Sequence, residues 1–205
     1  MAESQHIEFK STWRNEYIKW ICGFANAQGG KLVIGKDDSG NVVGLTDAKK
    51  LLEDIPNKVR DILGIIVDVN LKLTKTGLEY IEVAIEPYPY PVSYKGQYHY
   101  RSGSTKQELK GAALDRFLLA KQGKHWDSVP VPHVTIELLH ATALDLFRKR
   151  AANSKRLLQE VINEKNSLLL EKLHLLEGEY LKRAAVLLFH PDPEAFVTGA
   201  FVNAW

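Results

Sequence analysis

The sequence holds a single cysteine, Cys22, among its 205 residues. One thiol cannot close an internal disulfide, and a cysteine-rich zinc cluster is excluded. No run approaches the roughly 18 consecutive apolar residues of a transmembrane helix, and the polar residues 1–6 lack the apolar stretch of a secretion signal. These absences predict a soluble, cytoplasmic protein from a reducing compartment, with no membrane partner.

The sequence also lacks the motifs of several common metal, nucleotide and nucleophile sites. The seven histidines include no pair at the spacing of a helical zinc site, and the glycines and lysines do not form a nucleotide phosphate-binding loop. Any ATP binding would belong to a region outside this sequence. Gly29 and Gly30 predict a helix end with a chain reversal, or a backbone that a phosphate could approach. We find no partner for a serine or cysteine nucleophile, and Cys22 reads as a small buried hydrophobe.

The charge is nearly balanced overall but uneven along the chain. The formal net charge is +2 and 25% of the residues are charged, which is an ordinary share for a globular protein. Residues 89–125 carry seven lysines and arginines against two acidic residues. This local excess indicates either an anionic partner or a solvated helix face.

Hydrophobic periodicity divides the chain near residue 122. Short β-like runs alternate with helical runs before this point, whereas helical spacing dominates after it. We predict an α/β (α+β) domain over 1–121, with a small mixed sheet packed with helices, then a linker over 122–134 and a mostly helical segment over 135–205. The predicted strands of the first domain are 7–9, 31–35, 42–45, 65–74, 78–86, 92–94 and 97–101, and its predicted helices are 14–27, 46–63 and 106–121.

The last segment predicts four helices followed by a strand over 196–205. The helices are expected over 135–153, 154–164, 167–176 and 180–189. The strand stops at Trp205 in mid-pattern, and an apolar strand normally needs a partner. We therefore expect the sequence to be the N-terminal part of a longer protein.

Acidic residues near the N-terminus could form a site for a hard cation. Glu3 and Glu8, with Lys10 and the Asp37–Asp38 pair, supply the carboxylates that Mg²⁺ or Mn²⁺ prefers and a lysine that could neutralise a phosphate. Residues five apart do not share a face of a strand or a helix, so a turn between Glu3 and Glu8 is needed. The alternative is a solvated Glu3, a surface ion pair at Glu8, and an Asp pair that shapes a turn.

Aromatic, basic and hydroxyl residues interleave over 98–106. Such a run beside a helix N-terminus is suited to bind phosphate. In a strand Tyr98 and Tyr100 would share one face, with a histidine and Arg101 on the other. The alternative is that the tyrosines pack in the core and that Thr105, spaced as in a capping box with Glu108, only caps the following helix.

Three segments in this order resemble the Schlafen/AlbA_2 family. They are ESQHIEFK at 3–10, FANAQGGKLVIGKDDSGNVVGL at 24–45 and PVSYKGQYHYRSGST at 91–105. The resemblance covers about 1–121 and implies a small sheet packed against helices. The stretch from 175 to 201 resembles the start of the ATPase-like or winged-helix region that follows in many bacterial members.

The resemblance implies two activities. Bacterial members are described as DNA-binding transcriptional regulators, whereas animal members include endoribonucleases that cut structured RNA with three acids. Those acids correspond to Glu3, Glu8 and Asp38, which would hold Mg²⁺ or Mn²⁺, while Lys10 would stabilise the scissile phosphate. This chain departs from the family at Lys36, a position that is usually apolar. It also has one lobe where the animal enzymes have two, which a homodimer could supply.

The leading hypothesis is a nucleic-acid (DNA)-binding domain of a bacterial transcriptional regulator. Its expected contacts are Lys10, Lys31, Lys36, Lys95, Arg101 and Lys106. One alternative is a metal-dependent endoribonuclease acting through the three acids and Lys10. Another is a protein-interaction or scaffold domain that pairs through its terminal strand.

Overall fold

A computed structural model of the chain describes residues 3–200, and the chain divides into two compact units at Gln122–Gly123. The first unit contains a four-stranded sheet of β1 (Ile7–Lys10), β2 (Gly30–Ile34), β3 (Asp68–Leu73) and β4 (Glu79–Ile85) in the order β1-β2-β4-β3. Strand β1 runs parallel to β2, and the other neighbours are antiparallel. The predicted α/β class is confirmed.

Two amphipathic helices cover one face of this sheet. Helix α1 (Ile18–Asn26) connects β1 to β2, and α2 (Ala48–Leu63) precedes β3. Their apolar residues recur every three or four positions, so they fall on one stripe of each helix. The buried members of this core are Ile18, Ile21, Phe24, Leu51, Ile55 and Val59 from the helices, and Leu32, Ile34, Ile81 and Val83 from the sheet.

The predicted hairpin over 31–35 and 42–45 is reduced to a few contacts around its turn. Lys36 and Val42 form an isolated bridge, flanked by hydrogen bonds from the Asp37 N–H to the Asn41 carbonyl and from the Val43 N–H to the Gly35 carbonyl. Strand β2 takes β4 as its antiparallel neighbour instead. The turn predicted over 75–77 does join the neighbouring strands β3 and β4.

A second hairpin lies in the region predicted to begin a helix. Strand β5 (His99–Ser102) pairs with β6 (Thr105–Glu108), and helix α3 (Gly111–Lys121) starts later than expected. The predicted helix start at 106 and the capping box of Thr105 and Glu108 are therefore wrong. The predicted pairing of 92–94 with 97–101 is reduced to a bridge between Tyr94 and Gln97.

The second unit is mostly helical. It consists of α4 (Ala141–Ser154), α5 (Gln159–Ile162), α6 (Asn166–Lys172), the short strands β7 (Leu176–Glu177) and β8 (Tyr180–Leu181), and α7 (Arg183–Phe189). Val131 and Val134, in the segment predicted as a linker, are buried in its core. Residues 196–200 form turns, and the rest of the predicted final strand, with Trp205, lies outside the described residues.

No helix in residues 3–200 is both long enough and apolar enough to cross a membrane.

Candidate functional site

The N-terminal segment folds back so that Glu3 and Glu8 converge. Ser4 and Ile7 close a tight turn through their backbone groups, with N···O distances of 3.0 and 3.4 Å. The Phe9 N–H then donates to Glu3 Oε1 at 3.0 Å. This is the turn that the sequence required before both carboxylates could meet.

Lys10 occupies the point where the two carboxylates meet. Glu8 and Lys10 are two residues apart on one strand, so they share a face of β1. The Lys10 Nζ lies 2.5 Å from Glu8 Oε1 and 3.7 Å from Glu3 Oε1. The ammonium group therefore neutralises both acids.

Arg101 is buried and connects structural elements, and it is not exposed at the surface. Its side chain is 1% exposed and donates to Glu8 Oε2 at 2.5 Å, and to the Ser4 and Ile7 carbonyls at 2.7 and 3.2 Å. Gln5 donates to the Arg101 carbonyl and accepts from the Gly103 N–H, both beside the turn between β5 and β6. Arg101 was expected to contact nucleic acid, and in the structure its guanidinium holds the N-terminal turn instead of facing solvent.

The third acid lies on a different loop. Asp38 is exposed in a turn, beside Asp37, whose carboxylate accepts hydrogen bonds from the Ser39 and Asn41 amides. The hydrogen bonds from Asn41 hold the pKa of Asp37 below its ordinary value.

The described side chains do not fit a divalent metal at the predicted site. Among residues 3–200, no three His, Cys, Asp or Glu side chains are grouped so as to hold a metal ion. Both oxygens of Glu8 already accept from cations, Lys10 and Arg101, and a bound metal ion would be repelled by these charges. The predicted ligand set of Glu3, Glu8 and Asp38 is not assembled.

Lysines pack against aromatic rings on the side of β1 that carries Lys10. The Lys10 Nζ lies 5.8 Å from the Tyr17 ring and 5.4 Å from the Trp20 ring. The Lys106 Nζ approaches the same indole at 5.3 Å. The Tyr17 and Trp20 rings pack edge to face, with 5.6 Å between their centres. Both lysines therefore lie over the Trp20 ring of this aromatic pair.

Two further lysines share a second ring nearby. The Nζ atoms of Lys19 and Lys95 lie 5.7 and 5.5 Å from the centre of the Tyr94 ring. Burial and the charge of Lys19 lower the pKa of Lys106, which places these lysines within electrostatic reach of each other. We call the whole set the lysine–aromatic surface; its members are Lys10, Tyr17, Lys19, Trp20, Tyr94, Lys95 and Lys106.

This surface carries more positive than negative charge, with the Glu108 carboxylate within electrostatic reach of Lys106. Within the described part of the chain, Lys19, Lys95 and Lys106 make no ion pair, whereas Lys10 is paired. Cations held over aromatic faces are stabilised without losing their charge. The surface can therefore attract an anion.

The predicted contact residues fall into three groups. Lys10, Lys95 and Lys106 belong to the lysine–aromatic surface, and Arg101 is buried. Lys31 lies beside Ile7 on the opposite face of the sheet and pairs with Glu82 at 3.0 Å. Lys36 lies over the rings of Phe9 and Tyr80, on the same opposite face.

The sequence reasoning missed four members of the surface, Tyr17, Lys19, Trp20 and Tyr94. The signal for Tyr17, Lys19 and Trp20 was present in the run WRNEYIKW at 13–20, which combines aromatic and basic residues, whereas Tyr94 lies outside this run. The run was assigned only to an apolar helix face.

The family model for Schlafen, AlbA_2 matches residues 3–110, which is more than half of the chain. This chain belongs to the Schlafen AlbA_2 family. The resemblance stated from the sequence motifs is confirmed. The matched residues contain every member of the lysine–aromatic surface.

Two of the solved structures that are similar to this Schlafen AlbA_2 chain cover different shares of it. One is the DIP2311 protein from Corynebacterium diphtheriae, with 20% identity and a TM-score of 0.46 over 91% of this chain and 40% of that chain. The other is the N-terminal domain of a protein related to the ATP-dependent DNA helicase RecG from Nitrosomonas europaea, with 25% identity and a TM-score of 0.39 over 54% of this chain and 87% of that chain. The chain thus spans about two fifths of the DIP2311 chain. A comparison with curated proteins gave no match.

Buried polar groups beneath the surface of this Schlafen AlbA_2 unit fix α1 to the neighbouring segments. The Asn26 amide group donates to the Val92 and His99 carbonyls at 2.7 and 2.8 Å, and its oxygen accepts from the Val92 N–H at 2.8 Å. Cys22 is fully buried, and burial raises the pKa of its thiol. The cysteine is thus the buried hydrophobe that the sequence predicted.

His99 is the least satisfied of these groups. Its side chain is 2% exposed, and neither ring nitrogen has a hydrogen-bond partner among the described residues. Burial, followed by the charge of Lys106, lowers the pKa of the ring below 6.5. The imidazole is therefore neutral at pH 7.

Proposed function

We propose that this chain binds nucleic acid through the lysine–aromatic surface. The observation that carries the proposal is the group of Lys19, Lys95 and Lys106, which lie over Tyr94 and Trp20 and form no ion pair among the described residues. Membership of the Schlafen AlbA_2 family supports it.

The arrangement has the chemistry that nucleic-acid surfaces use. Ammonium groups neutralise phosphates and release condensed counterions, and half-buried aromatic rings offer flat faces on which bases or riboses pack. Tyr17, Trp20 and Tyr94 are only partly or slightly exposed, so the lysines would make most of the contact. Such binding depends on phosphates more than on base identity.

Regulation of transcription through duplex DNA is the finer role that we propose. It follows from the resemblance of the three sequence motifs to bacterial family members. Binding of RNA by the same lysines is the competing outcome, because phosphate contacts alone do not distinguish the two.

Binding is favoured here over metal-dependent cleavage. Glu8 is 3% exposed and is held by Lys10 and Arg101, an arrangement typical of a structural ion pair. Metal-dependent cleavage is the alternative that the experiment must distinguish from binding.

The test is a titration of fluorescently labelled duplex DNA and transfer RNA by the full chain at about 50 mM salt. The double variant Lys95→Ala/Lys106→Ala should weaken binding roughly tenfold, because it removes two phosphate contacts. The matched control is Lys49→Ala/Lys50→Ala, which removes the same charge from exposed positions in α2, outside the surface. An equal loss of affinity in both variants would refute the proposed surface.

Each titration is repeated with Mn²⁺, and the nucleic acid is then examined for cleavage. Intact nucleic acid is the expected result. Cleavage that requires Mn²⁺ and disappears in Glu8→Gln, in a variant that still binds, would replace the binding proposal with the nuclease.

A further inference from the structure

Strand β3 forms one edge of the four-stranded sheet. It pairs with β4 on one side, and no described strand pairs with its other side. An open edge presents unpaired backbone groups that can recruit another strand. Leu73, near the end of the strand, is 65% exposed.

The register shows which backbone groups point outward. The Thr74 N–H donates to the Leu78 carbonyl across the turn, so Thr74 faces β4. Backbone direction alternates along an antiparallel strand, and Lys72, Asn70 and Asp68 therefore also face β4. The N–H and C=O groups of the intervening residues, Val69, Leu71 and Leu73, face outward.

The free edge is complementary to itself. If a second copy of β3 pairs in antiparallel register centred on Asn70, Val69 lies opposite Leu71 and the two exchange hydrogen bonds. In the same register Asp68 lies opposite Lys72 of the second copy, and the two-fold axis repeats this pair. These are the closely spaced, non-hydrogen-bonded positions, where opposite charges interact best.

The side chains of the strand fit this register. Val69 and Leu71 pack against the helix-covered core, so a joined sheet would continue the same apolar face. Asp68 and Lys72 are exposed, and neither forms an ion pair within residues 3–200. The exposed Leu73 would lie opposite Val67 of the second copy.

We propose that two copies of the chain associate through β3 to form one continuous eight-stranded sheet, doubling the four strands of each copy. The proposal is independent of the nucleic-acid function. Pairing of two single strands buries little surface, so the dimer should be reversible and dependent on concentration.

The experiment is sedimentation velocity of the full chain over a range of concentrations. The wild type should approach twice the mass of one chain as concentration rises. Asp68→Lys and Lys72→Asp should each raise the dissociation constant roughly tenfold, because each turns both ion pairs into repulsions. An equimolar mixture of these two variants should dimerise again, since every pair then has opposite charges.

Leu71→Pro provides a second test that does not depend on charge. Its lost N–H points away from β4, so the monomer sheet keeps its hydrogen bonds and the outer pairing does not. Circular dichroism checks that the variant is folded. A wild type that keeps the mass of one chain at all concentrations would overturn the proposal. So would a dimer that all three variants leave unchanged.

Discussion

At the scale of single residues, Arg101 has the largest structural role in the first unit. Its guanidinium connects β5 to Glu8 and to the carbonyls of the N-terminal turn. Residues 8 and 101 are far apart in sequence, so the contact fixes a long loop of chain. The orientation of Lys10, and hence one end of the lysine–aromatic surface, depends on it.

Removal of one partner from this pair should be costly. Arg101→Met leaves the buried Glu8 carboxylate with Lys10 alone, and we expect a loss of about 3 kcal/mol in the free energy of unfolding. The control is Lys31→Met, which breaks the more exposed pair with Glu82 and should cost under about 1 kcal/mol. Urea unfolding measures both. A similar small loss in both variants would show that the buried pair is not structural.

The neutral His99 should make stability depend on pH. Its folded pKa is below 6.5, so the unfolded chain binds the proton more readily and stability falls as pH drops from about 6.5 towards the folded pKa. In His99→Phe this part of the loss should disappear. The variant His6→Gln, which changes an exposed histidine of the same unit, serves as the control. Urea midpoints at several pH values distinguish the two, and parallel profiles for wild type and His99→Phe would contradict the account.

Whether an individual side chain is buried or exposed was only partly predictable from the sequence. The burial of Cys22 followed from its place in an apolar helical stripe. The burial of Arg101 did not, because its partner is Glu8, and a pairing across 93 residues leaves no local pattern. For the same reason the surface lysines could be counted but not assigned to faces.

At the scale of elements, the connection between α1 and β2 depends on Gly29. Its φ is +74°, and an added Cβ would lie 2.6 Å from the backbone oxygen of Ile85. Gly77, in the turn between β3 and β4, has a φ of +83° but open space around it. The two glycines therefore share the same conformational demand and differ only in crowding.

Alanine substitutions at these two glycines separate the cost of the left-handed backbone from the cost of the steric clash. Gly77→Ala should lose about 1 kcal/mol of unfolding free energy from its left-handed backbone. Gly29→Ala should lose roughly 1–3 kcal/mol more, because the clash is with rigid backbone. Thermal unfolding checks the difference. Equal losses of unfolding free energy would mean that the backbone at Ile85 moves away from the added Cβ more easily than the structure suggests.

Elements with strong local patterns were predicted well, and those fixed by distant pairing were not. Alternating apolar residues identified β3 and β4, and helical spacing identified α1 and α2. Strand β6 has the polar sequence TKQE, which has no strand signal, and it is a strand because it pairs with β5. The sheet order likewise depends on tertiary contacts that turn chemistry alone does not specify.

At the scale of the whole molecule, the two units have separate hydrophobic cores. Every residue of the lysine–aromatic surface belongs to the first unit. A length of about 120 residues is typical of a domain that folds alone. The proposed binding surface therefore lies entirely in the first unit.

A fragment of residues 1–122 should fold and retain the affinity of the full chain for nucleic acid within about threefold, as expected when no contact is removed. Circular dichroism checks the fold and fluorescence anisotropy the affinity. A folded fragment that no longer binds would show that the second unit supplies essential contacts.

The salt dependence of binding tests the central claim most directly. The logarithm of the association constant should fall linearly with the logarithm of salt concentration, with a slope of about 0.9 for each phosphate neutralised on duplex DNA. In the Lys19→Ala/Lys95→Ala/Lys106→Ala variant the magnitude of this slope should fall by about three times 0.9, because three phosphate contacts are lost. The Lys49→Ala/Lys50→Ala variant should keep the wild-type slope. A slope that is the same in wild type and in the triple variant would contradict nucleic-acid binding by the lysine–aromatic surface.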